Sequence, residues 1–252
     1  FKEGKTMKKK NIVKLGFTFL MFCLFIIIST SCLSSISENL TKTNNDQKDL
    51  SSEEPIVGIV YTLTSQNYHP KQPFAEEGLG EITQVGICLE NKLISQNIKT
   101  INDLTIHDQP VFSQAYSKAQ TTVDKLLKAN PQLKLIIDLH RDAVPEDKPL
   151  DYTTIKLASG DSAAKVLFAV NQSDQNNVSL NAAQFISDYL NQSVPGLSRG
   201  IKIIDKNLAS STKKIPIITL YIGDYERNSL AEAEKTAEIL AEAISSYFSI
   251  EK

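Results

Sequence analysis

Short apolar runs rich in β-branched residues alternate with longer amphipathic stretches from residue 56 to residue 250. Leu133–Ile137 is the clearest run of the first kind and predicts a buried strand. The stretch Glu81–Gln96 places apolar residues at helical spacing and predicts an amphipathic helix. Strands separated by helices favour a sheet covered on both faces. The pattern therefore predicts a single three-layer α/β domain over residues 56–250, with a mixed, mostly parallel central sheet flanked by helices.

The same patterns predict the individual elements. The predicted strands are Ile56–Val60, Ile98–Ile101, Leu133–Ile137, Thr153–Leu157, Ala164–Val170, Ile201–Ile204 and Pro216–Ile222. The predicted helices are Glu81–Gln96, Val111–Lys128, Asn181–Leu190 and a last helix that begins with the capping box of Ser229 and Glu232. The loop at Ser159–Asp161 predicts a hairpin between Thr153–Leu157 and Ala164–Val170.

Charge and cysteine content exclude several classes of function. The chain has 27 Lys and Arg against 29 Asp and Glu, and the basic residues are scattered rather than clustered. This distribution argues against nucleic acid as a partner. Cys88 is the only cysteine between residues 56 and 250. Neither an internal disulfide nor a thiolate zinc site is therefore possible in the predicted domain.

The N-terminal segment has the pattern of an export signal. Met7 is followed by a basic cluster at Lys8–Lys10 and by the uncharged apolar run Leu15–Ile28. Cys32 follows small hydroxyl residues and is a possible lipidation site, although Ser29 stands where such sites usually carry an aliphatic residue. An uncleaved signal anchor is the alternative. Residues 1–32 are thus interpreted as an N-terminal extension with a signal anchor or a lipoprotein signal.

Residues 33–55 are rich in Ser, Asn, Asp, Glu and Lys and show no apolar period. This composition predicts a polar flexible stalk, because it cannot bury enough apolar surface to fold. A random coil of this length spans roughly 25 Å. Either kind of signal attaches the chain to a membrane, with the lysines holding the N-terminus inside. The folded domain is therefore expected on the extracytoplasmic side.

Three segments follow predicted strands and are candidates for a functional site. Tyr61–Tyr68 follows the first strand, Asp138–Asp142 follows the central apolar strand, and Tyr221–Glu226 ends the last strand. In open α/β sheets, binding and catalytic sites gather beyond the carboxyl ends of the strands. We therefore expect these three segments to meet at one edge of the sheet.

The motifs in and around these segments point to a family. In chain order they are Gln84-Val85-Gly86, Ile106-His107-Asp108, Tyr116-Ser117-Lys118, Thr122-Val123, Ile137-Asp138-Leu139-His140-Arg141-Asp142-Ala143 and Pro195-Gly196-Leu197-Ser198-Arg199-Gly200-Ile201. In their order and spacing, the chain resembles the stage II sporulation protein P family from about Ile56 to Ile244. The Asp-Leu-His-Arg-Asp-Ala string is the most specific single motif.

That family is similar in fold and chemistry to zinc N-acetylmuramoyl-L-alanine amidases. The resemblance implies a zinc-bound water that attacks the amide between a peptidoglycan stem peptide and muramic acid. Such a zinc needs about three protein ligands and an open position for water, together with a nearby carboxylate that moves protons. The resemblance also implies a protein of the bacterial cell membrane whose partner is peptidoglycan or another engulfment or cell-wall protein.

The chain departs from the family at the ligand and base positions. The family segment His-Thr-His-Thr-x-Glu-Ser-Tyr becomes Tyr61-Thr62-Leu63-Thr64-Ser65-Gln66-Asn67-Tyr68. Tyr61, Leu63 and Gln66 thus stand at degenerate ligand positions, and His140 is the one expected ligand retained. The family's Leu-Glu-Ile-Gly, whose glutamate is the base, has Tyr221 in place of the glutamate. We therefore expect no zinc cofactor and no catalytic residue.

Further residues are candidates for the lining of the cleft. They are Tyr68, His69, Arg141 and Asp142. Tyr68 could form an aromatic floor for glycan or peptide with Tyr61 and Tyr221, or the rings could simply pack. Arg141 and Asp142 could pair with each other or with neighbours. Arg141 could instead contact a carboxylate of a stem peptide.

Three functions are open on these grounds. The first is a module that binds peptidoglycan or another protein, is linked to sporulation or engulfment, and keeps an inactive amidase cleft. The second is an active amidase whose zinc is held by a rebuilt site of His69, His140 and either Glu76 or Glu77; as the alternative, His69 is a solvated loop residue. The third is a structural anchor that binds a membrane partner and does not use the cleft.

Overall fold

The computed structural model describes residues 57–173, 177–205, 208–209 and 215–250. The predicted signal segment with Cys32, the predicted stalk and Ile56 at the start of the first predicted strand lie outside the described residues. Within these ranges, no helix has both the length and the apolar character needed to cross a membrane. The predicted domain is described almost completely.

Eight strands and four α-helices make up the described fold. The strands are β1 (Val57–Val60), β2 (Thr100–Asn102), β3 (Leu135–Asp142), β4 (Thr154–Lys156), β5 (Ser162–Ala164), β6 (Val166–Asn171), β7 (Ser198–Ile204) and β8 (Ile217–Asp224). The helices are α1 (Ile82–Ser95), α2 (Ala115–Ala129), α3 (Val178–Ser193) and α4 (Leu230–Ile250). Single 3₁₀ turns lie at Phe112–Gln114 and Leu150–Tyr152.

The central sheet has the strand order β2-β1-β3-β8-β6-β7. The first four of these strands are parallel to one another, whereas β6 is antiparallel to β8, and β7 is parallel to β6. Helices α1, α3 and α4 pack together, and α2 packs on the sheet through a buried cluster that includes Val60, Val123 and Ile136. The predicted three-layer α/β domain with a mixed, mostly parallel sheet is confirmed.

The predicted hairpin has a different second strand. β4 pairs in antiparallel fashion with β5, which ends at Ala164, while β6 begins at Val166 and joins the central sheet. Lys165 separates the two strands: its N–H donates to the Thr153 carbonyl, and its own carbonyl accepts from Gly223 of β8. The single strand Ala164–Val170 was therefore a wrong prediction, because the chain changes sheet at Lys165 without a turn signal in the sequence.

Two further boundaries illustrate what local chemistry decides. The second strand begins at Thr100 rather than Ile98, because Asn97 adopts φ 62° and Ile98 N–H donates to the Leu93 carbonyl, which ends α1 in a turn. The predicted capping box of α4 is confirmed. Ser229 N–H donates to Glu232 at 2.9 Å, and Glu232 N–H lies 3.4 Å from the Ser229 hydroxyl.

Candidate functional site

The end of β3 places Asp138 and His140 on the face of the sheet that α2 covers. Asp138 is the register partner of Val60, which packs against α2, and side chains two residues apart on a strand share a face. Both side chains are buried, and His140 Nε2 lies 3.0 Å from Asp138 Oδ2. The Thr62 hydroxyl donates to the same oxygen at 2.9 Å, and the Thr62 N–H donates to Oδ1 at 2.8 Å. The imidazole is thus held to the sheet by one buried carboxylate.

Tyr221 of β8 lies beside the imidazole. It is the register partner of His140, and the two ring centroids are 5.3 Å apart. Its hydroxyl is a hydrogen-bond partner of Tyr116 on α2. Burial is the largest cause that raises the pKa of the Tyr221 phenol, and the nearby Tyr116, Asp138 and Asp142 raise it further. The phenol therefore stays protonated at neutral pH and cannot take a proton as a glutamate base does.

Tyr61 lies on the opposite face of the sheet from His140. It follows Val60, whose side chain faces α2, so its fully buried ring runs toward α1, where the hydroxyl donates to Asn102 at 2.7 Å. The hydroxyl occupies the space that a Cβ on Gly86 of α1 would take. The structure therefore does not bring the predicted ligand position Tyr61 to His140. Thr62 is the residue of this segment that faces the imidazole, because neighbouring residues in an extended chain point in opposite directions.

The other two degenerate ligand positions also differ from a metal site. Leu63 is half-buried and carries no donor atom. Gln66 is buried and bonds twice with the backbone of Arg141: its Oε1 accepts from the N–H at 3.0 Å, and its Nε2 donates to the carbonyl at 3.3 Å. A glutamate could not donate the second of these bonds. The side-chain amide of Gln66 thus forms two hydrogen bonds with the backbone near the end of β3.

Tyr68 is an interior residue rather than part of a cleft floor. Its ring is fully buried, its hydroxyl donates to the Ile222 carbonyl at 2.9 Å, and its N–H donates to Glu81 at 3.0 Å. Burial raises the pKa of this phenol. Tyr61, Tyr68 and Tyr221 each have different surroundings, so the proposed aromatic floor of three rings is not formed.

His69 is an exposed loop residue whose backbone N–H donates to the Asn228 carbonyl at 3.1 Å. Glu76 and Glu77 are exposed on the same loop. Among the residues that the structure describes, no three His, Cys, Asp or Glu side chains converge in a way that could hold a metal ion. The structure therefore does not assemble the rebuilt site of His69, His140 and a glutamate.

The side chains around His140 do not fit a hydrolytic zinc. Such an ion needs about three strong donors and an open position, whereas His140 has one carboxylate, Asp138, as its immediate neighbour. The remaining groups within reach of that carboxylate are the hydroxyls of Thr62 and Thr219. Neutral hydroxyls are not among the ligands that bind zinc in protein sites.

Arg141 is held by the protein on every side. Three of its nitrogens donate to backbone carbonyls, Nε to Asn67 at 3.0 Å, Nη1 to Asp142 at 3.2 Å and Nη2 to Pro73 at 2.7 Å. Its guanidinium lies 5.0 Å from the centroid of Phe74 and 4.8 Å from that of Tyr225. Arg141 therefore has a structural role, and the predicted contact with a stem-peptide carboxylate does not suit it.

Asp142 forms an ion pair with Arg199 of β7 rather than with Arg141. Arg199 Nη2 lies 2.6 Å from Asp142 Oδ2, and Asp142 Oδ1 accepts from the Ala143 N–H at 2.8 Å. The sequence contained Arg199 within a family motif but gave no signal of this contact. The contact depends on β7 running antiparallel to β3 at the far edge of the sheet, which local patterns do not encode.

Asp138 lay in a candidate segment, but the sequence interpretation did not identify it as the partner of His140. Its position two residues before His140 was the available signal, because such residues share a strand face.

His107 and Asp108 hold the loop after β1 in place. His107 bridges the Tyr61 carbonyl and the Thr122 hydroxyl, and Asp108 accepts from Ser65. These two residues therefore brace that loop.

Comparison with known proteins identifies a family. A family model described as stage II sporulation protein P matches residues 30–245. The stage II sporulation protein P of Bacillus subtilis strain 168 is 26% identical over an aligned length of 242, and the match covers 87% of this chain and 59% of that protein. The chain thus corresponds to well under two thirds of the length of that relative.

Solved structures of amidases share the fold. The CwlD amidase of Clostridioides difficile, solved in complex with the GerS lipoprotein, aligns with a TM-score of 0.54 at 14% identity, covering 79% of this chain and all of that one. An N-acetylmuramoyl-L-alanine amidase of Clostridium difficile 630 aligns with a TM-score of 0.50 at 14% identity, covering 78% of this chain and 96% of that one. At such identities the likeness concerns the fold alone.

Proposed function

Because this chain belongs to the stage II sporulation protein P family, we propose that it is a membrane-anchored, extracytoplasmic protein that binds peptidoglycan in an amidase-fold cleft without cleaving it. One observation carries the proposal. The side chains at the ligand and base positions serve packing and internal hydrogen bonds instead of converging on one point. Tyr61 lies under α1, Gln66 is bound to the backbone of Arg141, and Tyr221 is a half-buried neutral phenol.

Loss of hydrolysis follows from the chemistry of these groups. His140 and Asp138 are the two charged or metal-binding side chains in mutual contact at the end of β3. Two donors fall short of the ligand set of a hydrolytic zinc. The half-buried phenol of Tyr221, whose pKa is raised, cannot replace a carboxylate as a general base near neutral pH. Both requirements of the amidase reaction are therefore unmet.

Binding is expected to persist because the same edge of the sheet still presents polar and aromatic groups to solvent. Tyr116, beside Tyr221, is 42% exposed, and Phe112 in the 3₁₀ turn before α2 is 56% exposed. The Asp142 side chain is 25% exposed and is paired with Arg199. Peptidoglycan offers sugar faces to aromatic rings and charged or amide groups to polar side chains. These residues therefore suit a peptide-bearing glycan.

Attachment and biological setting are part of the proposal. The basic and apolar pattern of residues 1–32 supports an anchor in the bacterial cell membrane or a lipid on Cys32. The polar composition of residues 33–55 supports a stalk that keeps the domain near the outer membrane face. The family supports a role in sporulation, with peptidoglycan or another engulfment protein as the partner.

Murein co-sedimentation of the full chain in detergent tests the proposal, with an active amidase of the same fold as the positive control. We expect the chain to sediment with murein and to release no stem peptides, with or without added zinc. Zinc-dependent release that His140→Ala abolishes would establish the active-amidase alternative instead. A folded chain that stays in the supernatant would favour the structural anchor.

A further inference from the structure

Arginine is scarce in this chain and is confined to one edge of the sheet. The sequence contains 27 Lys and Arg, of which three are arginine: Arg141, Arg199 and Arg227. Arg141 lies near the end of β3, and Arg227 follows the end of β8. Arg199 lies at the start of β7, which runs antiparallel to those strands and so begins at the same edge. A guanidinium offers a planar fork of donors that lysine lacks.

Two of the three arginines are fully occupied by the protein. Arg141 donates to three backbone carbonyls and stacks between two rings, as described above. Arg227 donates through Nη1 to Asp224 Oδ2 at 2.9 Å and to the Val144 carbonyl at 3.3 Å, and through Nη2 to the Pro145 carbonyl at 2.8 Å. Both residues hold loops in place, and neither has a free edge for a ligand.

Arg199 differs from the other two. Its side chain is only 8% exposed, yet within the described residues the guanidinium meets a single acceptor, Asp142, through Nη2. Its Nε is buried and has no hydrogen-bond partner. A buried donor without an acceptor costs about 1–3 kcal/mol. The Arg199 Nε–H therefore has no acceptor among the described residues, and a ligand that supplies one would remove this cost.

We propose that Arg199 is the binding site for a carboxylate of a peptidoglycan peptide, with Tyr152 as its aromatic cover. This inference rests on the proposed function and assigns one ligand group to the cleft. A carboxylate fits the planar fork of a guanidinium with two parallel hydrogen bonds. Asp142 fixes the guanidinium from one side and leaves the Nε edge for the ligand.

The surroundings of Arg199 suit an anion. The guanidinium carbon lies 5.2 Å from the Tyr152 ring centroid, and Lys148 Nζ lies 5.9 Å from the same centroid. Two cations therefore share one ring, and Asp142 is the carboxylate that pairs with the guanidinium. The Tyr152 ring is 41% exposed and belongs to the single 3₁₀ turn Leu150–Tyr152. It can turn aside for a ligand while breaking few contacts.

The site is next to the retained imidazole. Asp142 lies two residues beyond His140 and is close enough to Tyr221 to raise the pKa of its phenol. A peptide carboxylate on Arg199 would therefore place the neighbouring amide of the ligand along the edge where His140 and Tyr221 lie. The proposed subsite therefore lies near the degenerate base position Tyr221, at the same edge of the sheet.

Calorimetry on the full chain in detergent micelles tests the inference with two probe peptides. Both are N-acetyl-L-alanyl-D-glutamate with the γ-carboxyl blocked as its methylamide; one has a free α-carboxylate, and the other has an α-carboxamide. We expect the carboxylate to bind about tenfold more tightly, as one charge-assisted contact provides. Arg199→Lys should remove this preference because the ammonium lacks the planar fork. Arg227→Lys, at a matched arginine of the same edge, should preserve it.

Asp142→Asn is the companion variant and should tighten carboxylate binding, because it removes the competing charge. Equal affinity for the two peptides, or an Arg199→Lys variant that keeps the preference, would overturn the inference. If Arg199→Lys fails to fold, the sign of the Asp142→Asn effect decides. If the chain sediments with murein but prefers neither peptide, the proposed subsite is contradicted. The proposed function then still stands. Loss of murein binding would contradict the proposed function itself.

Discussion

The loop after β1 and the ends of β3 and β8 form the two halves of the candidate site, and they use their polar side chains in opposite ways. In the loop, the hydroxyls of Tyr61 and Tyr68 and the amide of Gln66 bind Asn102 or the backbone of neighbouring strands. At the strand ends, His140 and Tyr221 remain side by side near Asp138. The polar side chains of the loop thus serve the framework of the fold. Those of the strand ends, His140, Tyr221 and Asp138, lie close to one another.

The difference shows how binding and hydrolysis can separate in one fold. A hydrolytic zinc site needs donors from both halves at once, so replacing one half removes it. A binding cleft needs only the shape of the edge and a few exposed groups. Next to the second half, Tyr116 of α2 is exposed, and Asp142 is paired with Arg199 of β7. On the proposed function, the cleft is kept while the reaction is lost.

The largest expected effect is on the strand-end half. Asp138→Ala should lower the free energy of unfolding by about 3–5 kcal/mol, because the buried donors of Thr62 and the His140 imidazole lose their common partner. Asp138→Asn should cost less, since an amide still accepts from the Thr62 N–H and can donate to a hydroxyl. Urea unfolding measures both. A loss below about 1 kcal/mol for the alanine variant would contradict this network.

The two arginines of the site should separate stability from binding. Arg141→Ala should lower the free energy of unfolding by about 2–4 kcal/mol, because two ring contacts and three backbone hydrogen bonds disappear. Arg199→Ala should cost about 1 kcal/mol or less, because its partner Asp142 is partly exposed. Chemical denaturation of both variants gives the comparison. Equal losses would mean that Arg199 is as structural as Arg141.

A smaller effect is expected when the loop half is returned toward the family sequence. Gln66→Glu should cost about 1–3 kcal/mol, since the carboxylate cannot donate to the Arg141 carbonyl and becomes a buried charge. Gln114→Glu, the same change at an exposed position, should stay within about 0.5 kcal/mol. Thermal unfolding distinguishes them. A stabilised Gln66→Glu variant that takes up zinc would show that the loop is still a ligand segment.

The smallest effect is a pH dependence confined to alkaline solution. Burial raises the pKa of Tyr61, Tyr68 and Tyr221 above the ordinary value of about 10. Their contribution to stability is therefore complete below that pH and is lost as the pH rises above it. Tyr68→Phe should make the decline of the unfolding free energy above pH 10 shallower. An unchanged slope would mean that the ring is not buried as described.

Local pattern predicted most of the fold, because strand and helix periods survive in β1, β3, α1 and α4. It failed at Lys165, where the chain passes from one sheet to another, since long-range contacts decide which strand a residue pairs with. His140 was predictable from its motif. Its contact with Asp138 was predictable from the two-residue period of a strand, which places both side chains on one face. The contact of Arg199 with Asp142 was not predictable, because it joins residues 57 positions apart.

The orientation of Tyr61 shows the limit of aligning a motif by register alone. The alignment placed Tyr61 at a ligand position, but directly after the end of β1 at Val60 that side chain points toward α1. Gly86, which belonged to a family motif, is explained by the same contact, because any larger residue would meet the Tyr61 hydroxyl. The motif that contains Gly86 thus reflects a packing constraint rather than a chemical role.

Zinc stoichiometry of the purified full chain, measured by atomic emission after equilibration with zinc and gel filtration, tests the central claim most directly. The account predicts no retained zinc, because His140 and Asp138 are too few donors to hold the ion. About one zinc per chain, lost in His140→Ala, would contradict the account.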